Sequence, residues 1–424
     1  MLLVFYSLAL LVLLLVSAPY WLLRMATAGK YREGLPQRLG RVPCALRNAV
    51  KDKPVIWVHA VSVGEILAAG RLIQTLREQS GCTVVVSTTT RTGQALARER
   101  FGADSVFYFP LDFAFAVRPY LRALQPRMVV LLETEFWPRM LTECKRRRIP
   151  VAVVNARISD RSWPRYRRLR IFWRPLLRNS AVVLAQSDTD TQRLHALGAA
   201  NAVTAGNLKY DIRVAAPAPI VDTIRQHLPT NARVLVCGST CAIGAGNEEE
   251  MLLAALPAGV VTILAPRHPD RFPAVAEMLD RSGRIWHRRS AWAAHPTPLA
   301  PGSILLLDTI GELAGLYAIA TVAFVGGSLI PVGGHNPLES AQFGIPILMG
   351  PHVQNFRAMV DTLHAEHALE IVSPDNLASA LDRLFAHPDE AQRMGAAARA
   401  ICEREAGATD RAVATMLRVL RGES

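Results

Sequence analysis

With 424 residues the chain has room for two domains with full cores and an appendage. A formal net charge of +13 implies anionic partners: nucleotide, phospholipid or nucleic acid. The six cysteines are scattered. Only Cys237 and Cys241 lie close together, and no second pair completes a zinc site; the cysteines read as reduced thiols, and no disulfide scaffold is implied.

Residues 2–23 carry no charged side chain. At about 1.5 Å per residue they reach across a hydrocarbon core of about 30 Å, with Tyr20 and Trp21 placed as interfacial aromatics. A cleaved signal peptide is the competing reading. The length of the run, and the lack of any positive residue before it, favour a single transmembrane anchor over residues 1–23. A basic connector, 24–53, carries Arg24, Lys30, Arg32, Arg38, Arg41, Arg47, Lys51 and Lys53 against Glu33 and Asp52. The positive-inside rule then has the globular part face the cytoplasm.

From residue 54, apolar runs at 54–60, 82–87, 105–109, 128–132, 151–154 and 182–185 read as strands. Helical periodicity falls between them, first at 64–79 and 92–100. This alternation predicts an α/β, doubly wound parallel sheet, a Rossmann-like domain over 54–214. A Pro/Ala-rich stretch opens a linker, 215–232. A second series of strands at 233–237, 260–264, 304–307, 321–325 and 345–349 predicts another Rossmann-like domain over 233–424, closing with an Ala/Arg-rich helical segment. Two such sheets facing a cleft would bind ligands at the carboxyl ends of their strands.

Several strand ends carry chemistry. Ser62-Val63-Gly64-Glu65 follows the first strand, and Glu65 reads either as a first-turn acid favoured by the helix dipole or as a general base with a raised pKa. The run 128–132 delivers Glu133, which could approach Glu65, hold a substrate hydroxyl or face a developing cation; the plain alternative is a pair of solvated edge acids. Residues 145–178 hold twelve Lys and Arg. Within them Ser162 is a candidate cap, and Trp163, Tyr166, Leu169, Phe172, Trp173 and Leu176 share one helical face, with Arg165, Arg168 and other arginines opposite. Such a helix lies in the headgroup layer of an anionic membrane, or packs on the core with a solvated basic face. Nucleic acid is the less economical partner beside a membrane span.

In the second half, Lys209 within Gly206-Asn207-Leu208-Lys209 could meet a phosphate or carboxylate. Gly238-Ser239-Thr240 is a plausible phosphate-approach turn. Pro266-Arg267-His268-Pro269 offers a guanidinium for bidentate phosphate contact. Ile310-Gly311-Glu312 follows the next strand. The stretch 324–340 then runs from a buried strand through two glycine pairs to Asn336-Pro337-Leu338-Glu339, with Asn336 as helix cap and Pro337 at the first helical position. The glycines would let backbone approach a ligand, and the helix start would favour an anion; the plain alternative is a tight turn with a capping box. Without a Walker A pattern or a metal-ligand cluster, a nucleotide site independent of metal and cofactor is the simplest account.

With these residues in place, the chain resembles, over essentially its whole length, the 3-deoxy-D-manno-oct-2-ulosonic acid (Kdo) transferases of lipopolysaccharide synthesis. The likeness rests on residues 59–65, Glu133-Thr134-Glu135-Phe136-Trp137-Pro138, Asn155-Ala156-Arg157, Gly206-Asn207-Leu208-Lys209, Pro266-Arg267-His268-Pro269 and 327–339. It implies a GT-B glycosyltransferase that moves Kdo from CMP-Kdo, with inversion, to the 6'-hydroxyl of a tetraacylated lipid A precursor (lipid IVA) at the membrane face. It further implies Glu65 as proton acceptor and Glu133 and Lys209 as transition-state stabilisers. Pro266, Arg267, Ile310, Gly311, Glu312, Asn336, Pro337, Leu338 and Glu339 would hold CMP. The basic-aromatic helix, by its own chemistry, would suit an acceptor bearing phosphates and acyl chains, with Trp163, Arg165, Tyr166, Arg168, Phe172 and Trp173 meeting the acceptor and the membrane. One departure stands out: Cys241 occupies a position where the family usually has histidine, in a loop that looks longer over 241–247. A sugar-nucleotide epimerase on the same plan, and a non-catalytic basic membrane or nucleic-acid binder, are the competing readings. Neither accounts for the anchor together with the Glu, Lys and Arg set at the strand ends.

Overall fold

Strands β1 (Val55–His59), β2 (Thr83–Thr88), β3 (Val106–Tyr108), β4 (Met128–Leu132), β5 (Val151–Ala156), β6 (Val182–Ala185) and β7 (Ala202–Thr204) form one sheet in the order β3-β2-β1-β4-β5-β6-β7, every pair parallel. The computed structural model describes residues 2–28, 33–212 and 219–423. The expectations for Lys30, Arg32 and residues 213–218, and for the side chains of Trp21 and Arg24, lie outside what is described. Two units divide the chain: Met1–Ile212 with Ala406–Ser424, and Arg213–Glu405.

The first sheet is buried on both faces, which is why its central strands are continuous apolar runs. Trp57, Val129 and Leu131 point into one core layer with Phe107 and Tyr120. Ile56, Val58, Met128 and Val130 point into the other with Ile66, Leu72 and Leu76 of the helix Val63–Gln79.

That second layer corrects the expected domain limits. The helix Ala408–Arg421 belongs to the first unit, because Ala408, Ala412, Val413 and Met416 complete its core. Asp211 fixes the entry of this helix by accepting hydrogen bonds from the N–H groups of Gly407 (2.6 Å) and Thr409 (2.5 Å). The expected linker also contains structure. The helix Pro219–His227 buries Ile220, Val221 and Ile224 in the second unit, where they are core and not spacer.

The second sheet comprises β8 (Val234–Thr240), β11 (Val261–Pro266), β12 (Trp286–Arg288), β13 (Ile304–Leu306), β14 (Val322–Val325), β15 (Ile347–Met349) and β16 (Leu369–Ile371), while β9 (Ala242–Ile243) and β10 (Gly246–Asn247) form a separate small hairpin. Its order is β12-β13-β11-β8-β14-β15-β16, again all parallel.

The amino-terminal helix runs Leu2–Ala28, past the expected limit at 23. Its segment Leu3–Tyr20 is long and apolar enough to cross a membrane by length and composition. Its first turns touch the first unit: Tyr6 Oη donates to Asp112 (3.0 Å), Arg139 donates to Ser7 Oγ (2.9 Å), and the Tyr6 ring lies 6.2 Å from that of Phe172.

Candidate active site

In the first unit β1 and β4 are neighbours, with β2 and β3 on one side and β5, β6 and β7 on the other. This is the switch point at which doubly wound sheets open a crevice for ligands. Ser62 caps the helix that leaves β1, accepting from the N–H of Glu65 at 3.4 Å. The Glu65 carboxylate reaches back, accepting from the N–H of Val61 (2.7 Å) and from Ser62 Oγ (2.9 Å). Glu65 is thus a capping residue whose side-chain position is fixed by the fold. It is 8% exposed, and burial pushes its pKa up, opposed by the bond from Val61 and reinforced by the charge of Glu133.

Glu133 follows β4 with φ of 54°, in the left-handed region that a side chain rarely adopts. Its N–H still donates to Val154 O at 2.9 Å, so the sheet ladder holds the strained residue in place. Two residues on, Glu135 is raised to about 7 by burial and by the charges of Glu65 and Glu133. The strand end therefore gathers three carboxylates, of which sequence reasoning had singled out two. The Glu-Thr-Glu spacing was the available signal. Tyr166, whose own pKa rises through burial and the charge of Glu135, lies beside this group.

Lys209 is half-buried on the 3-10 turn Leu208–Asp211. Asn155, at the end of β5 with φ of 60°, accepts from the N–H of Leu208 at 3.1 Å, drawing this turn across the strand ends towards β4. Asn207 ties the same turn to Gln186 (3.0 Å) and caps the N–H of Lys209 (3.0 Å). His59 is not a base here. Fully buried, stacked on Phe109 and bonded through Nδ1 to Ser87 Oγ at 3.0 Å, it is held neutral, its pKa lowered to about 3 by burial.

The expected basic-aromatic helix is two helices, Trp163–Arg168 and Arg170–Leu177, broken at Leu169, and Ser162 makes no cap bond. The aromatic face turns inward: Trp163, Tyr166, Trp173 and Leu176 pack, partly buried, on the core of the unit, while Phe172 abuts Tyr6. For Trp163, Tyr166 and Trp173 the alternative of packing on the core is therefore the one observed. Arg165, Arg168, Leu169 and Ile171 are exposed.

In the second unit the contiguous strands β13, β11, β8 and β14 bring their carboxyl ends to one edge. Ser239 there has φ of 56°. Arg267 is exposed after β11, with its N–H bonded to Thr240 O at 2.9 Å. Its charge lowers the pKa of both Glu339 and His335, so the three converge. Burial, the larger effect, pushes Glu339 up and His335 down to about 4, leaving the imidazole neutral. Asn336 Oδ1 accepts from the N–H of Leu338 at 3.1 Å, but Pro337, expected at the first helical position, is itself the cap residue. The helix that follows, however, is the single turn Leu338–Ala341, too short to build the aligned dipole that would favour an anion. Glu312 is paired with Arg289 and accepts from Thr309 Oγ1 at 2.6 Å, while Ile310 is exposed and Gly311 takes φ of 90°.

The glycine pair Gly326-Gly327 serves packing more than ligand approach. A Cβ on Gly326 would stand 2.5 Å from Ser239 O, and Gly327 has φ of 67° with a Cβ position 2.8 Å from the His335 ring. Sequence reasoning missed the group that shapes this loop. Fully buried Glu248 accepts from the N–H groups of Gly327 (2.6 Å), Ser328 (2.8 Å), Leu329 (2.8 Å) and Cys241 (2.9 Å). Next to it Glu249 accepts from Thr240 Oγ1 (2.9 Å) and Arg271 (2.8 Å). Cys241, where the family's histidine was expected, lies with Sγ 3.5 Å from His335 Nε2, its thiol pKa pushed up to about 11 by burial and neighbouring glutamates.

The family model described as 3-Deoxy-D-manno-octulosonic-acid transferase (kdotransferase) matches residues 33–212. The 3-deoxy-D-manno-octulosonic acid transferase of Bordetella pertussis is 35% identical over 412 residues, covering 92% of this chain and 93% of that one. Its counterpart from Haemophilus influenzae is 32% identical over 398 residues and 90% of each chain. Among solved structures, a glycosyltransferase from Rickettsia africae aligns with a TM-score of 0.55 at 13% identity, covering 88% of this chain and 99% of that one, a likeness in fold of the GT-B type.

Proposed function

The chain belongs to the 3-deoxy-D-manno-octulosonic acid transferase family, and on that premise we propose that it transfers Kdo from CMP-Kdo to the 6'-hydroxyl of a tetraacylated lipid A precursor with inversion, Glu65 acting as the base. The acceptor oxygen attacks the anomeric carbon of Kdo from the face opposite CMP. The new C–O bond forms as the bond to the phosphate oxygen breaks, CMP leaves with the electron pair, and the hydroxyl proton passes to Glu65.

The observation that carries this reading is the capped, largely buried Glu65 at the switch point, beside Glu133 and Glu135. Burial strengthens a carboxylate as a proton acceptor, and two further acids suit an oxocarbenium-like centre. Lys209 offsets the carboxylate of Kdo. In the second unit Pro266, Arg267, Ile310, Gly311, Glu312 and Asn336 to Glu339 hold CMP, with Arg267 on the phosphate. Arg165 and Arg168 face the phosphates of the acceptor, and the helix Leu2–Ala28 holds the chain at the inner membrane with both units on the cytoplasmic side.

The test is incubation with CMP-Kdo and the tetraacyl precursor, following CMP release and the mass of the lipid product. Release coupled to a product heavier by one or more Kdo residues supports the reading. Release at background, with the folded wild-type chain in detergent, overturns it.

A further inference from the structure

Away from these strand ends, the helix Arg170–Leu177 and its cap carry Arg170, Arg174 and Arg178 at four-residue spacing, hence on one face. All three are exposed and, among the described residues, none makes an ion pair. Together with His195 and Gly198, at the end of the helix Asp188–Leu197, they line a cavity of about 390 Å³. Gly198 makes the wall possible. It ends that helix with φ of 103°, and a Cβ on it would stand 2.6 Å from Arg174 Cγ. The helix end contributes a partial charge of only about −0.5, far short of three guanidiniums.

We propose that this cavity is a binding site for the headgroup phosphate of an anionic phospholipid, separate from the reaction centre. The topology supplies the separation. The helix Asp188–Leu197 starts at the carboxyl end of β6 and finishes at the amino edge of the sheet, where Arg178 also lies just before β6, whereas Glu65 and Glu133 follow the carboxyl ends of β1 and β4. A phosphate monoanion or diester accepts charge-assisted hydrogen bonds from arginine forks, the chemistry this wall offers. Lipid is favoured over free phosphate by what flanks the site. Phe172, on the same helix, touches the apolar amino-terminal helix, and Ile171, 76% exposed, and Leu169, 48% exposed, offer apolar surface beside the arginines.

The proposal rests on the reading of the amino-terminal helix as a membrane segment, and a soluble lipid tests the site independently of that reading. The full chain, in neutral detergent, is titrated calorimetrically with dihexanoyl phosphatidylglycerol, dihexanoyl phosphatidylcholine and inorganic phosphate. One equivalent of phosphatidylglycerol should bind, phosphatidylcholine should not, and phosphate should compete weakly. Replacing Arg170, Arg174 and Arg178 together by Gln should weaken binding by at least about tenfold. The same charge loss at Arg100, Arg122 and Arg281 should leave it unchanged. The double variant Arg170→Gln with Arg178→Gln, which keeps Arg174 at the helix end, should show most of the loss with an unaltered melting temperature. Equal binding of phosphatidylcholine, equal loss in the control triple, unchanged affinity in the cavity variants, or phosphate binding as tightly as the lipid would each overturn the assignment.

Discussion

Glu248 accepts a 2.6 Å hydrogen bond from the backbone of Gly327, 79 residues further along the chain. Two successive amides, Ser328 and Leu329, and that of Cys241 complete the set around one fully buried carboxylate. Burial pushes its pKa up and the four N–H groups pull it back. Glu248 is therefore a positioning residue for the loop that leads to the proposed CMP contacts. Glu248→Gln keeps the shape but turns an amide N–H₂ against N–H donors. It should raise the KM for CMP-Kdo about tenfold or more while the acceptor KM stays constant, and lower stability by roughly 2–4 kcal/mol. Equal effects on both KM values in steady-state kinetics would reduce the role to general folding.

Glu65→Ala should lower kcat by at least about 10²-fold, the ordinary worth of a positioned base. Because the same carboxylate caps a helix, about 1 kcal/mol of stability should go with it. Glu65→Gln separates the two roles, retaining most of the stability but not the rate. A Gln variant with wild-type kcat would remove Glu65 from the chemistry.

The raised pKa of Glu135 has a sign that can be checked. Its largest cause is burial, followed by the charges of Glu65 and Glu133. Removing a like charge in Glu133→Gln must lower it, so the inflection near 7 should move to lower pH when followed by carbon NMR of labelled carboxylates. The folded chain holds this proton more tightly than the unfolded one. Stability should therefore fall as pH rises from about 4.5, the unstructured value, to about 7, and then level off. In Glu135→Gln that slope should become shallower in urea titrations across the range, the remainder belonging to the other buried carboxyls whose pKa is raised.

Asn155→Gly keeps the left-handed backbone but loses the acceptor for Leu208 N–H, whereas Asn155→Ala loses both. Activity should fall in each towards that of Lys209→Ala, because the lysine turn comes adrift. The Ala variant should melt lower, by about 1–3 kcal/mol of added backbone strain. Full activity in the Gly variant would show that Lys209 is held by other means.

A chain ending at Glu405 should lose on the order of 5 kcal/mol from the first unit, since Val413 and Met416 leave its core and Asp211 loses both of its amide partners. Differential scanning calorimetry should show one transition shifted down and the other unmoved. Two unmoved transitions would contradict the assignment of this helix.

The central strands were legible because both of their faces are buried, which writes unbroken Val, Ile and Leu runs into the sequence. Of the five strands that were not anticipated, β9 and β10 are a hairpin of two-residue strands, and β7, β12 and β16 are sheet edges with partly exposed positions, so none leaves such a run. The helix Ala408–Arg421 was visible as a helix, but an apolar stripe does not say which sheet it covers. At the site, Glu65 and Glu133 announced themselves by following apolar strands directly. Glu248 did not. It sits behind a hairpin, in a run of three glutamates, and its partners are backbone amides that carry no sequence signature. The aromatic face of 163–176 was read correctly as apolar, but periodicity alone does not distinguish lipid from the domain's own core.

The first unit is assembled from two stretches of chain with the whole of the second inserted between them. During synthesis, the earlier-made sheet must wait, with one layer only partly covered, until about 190 further residues have left the ribosome. The inserted unit is uninterrupted and can close first, although it is made second. A chaperone that shields apolar surface would thus be needed most by the half of the protein that emerges earliest.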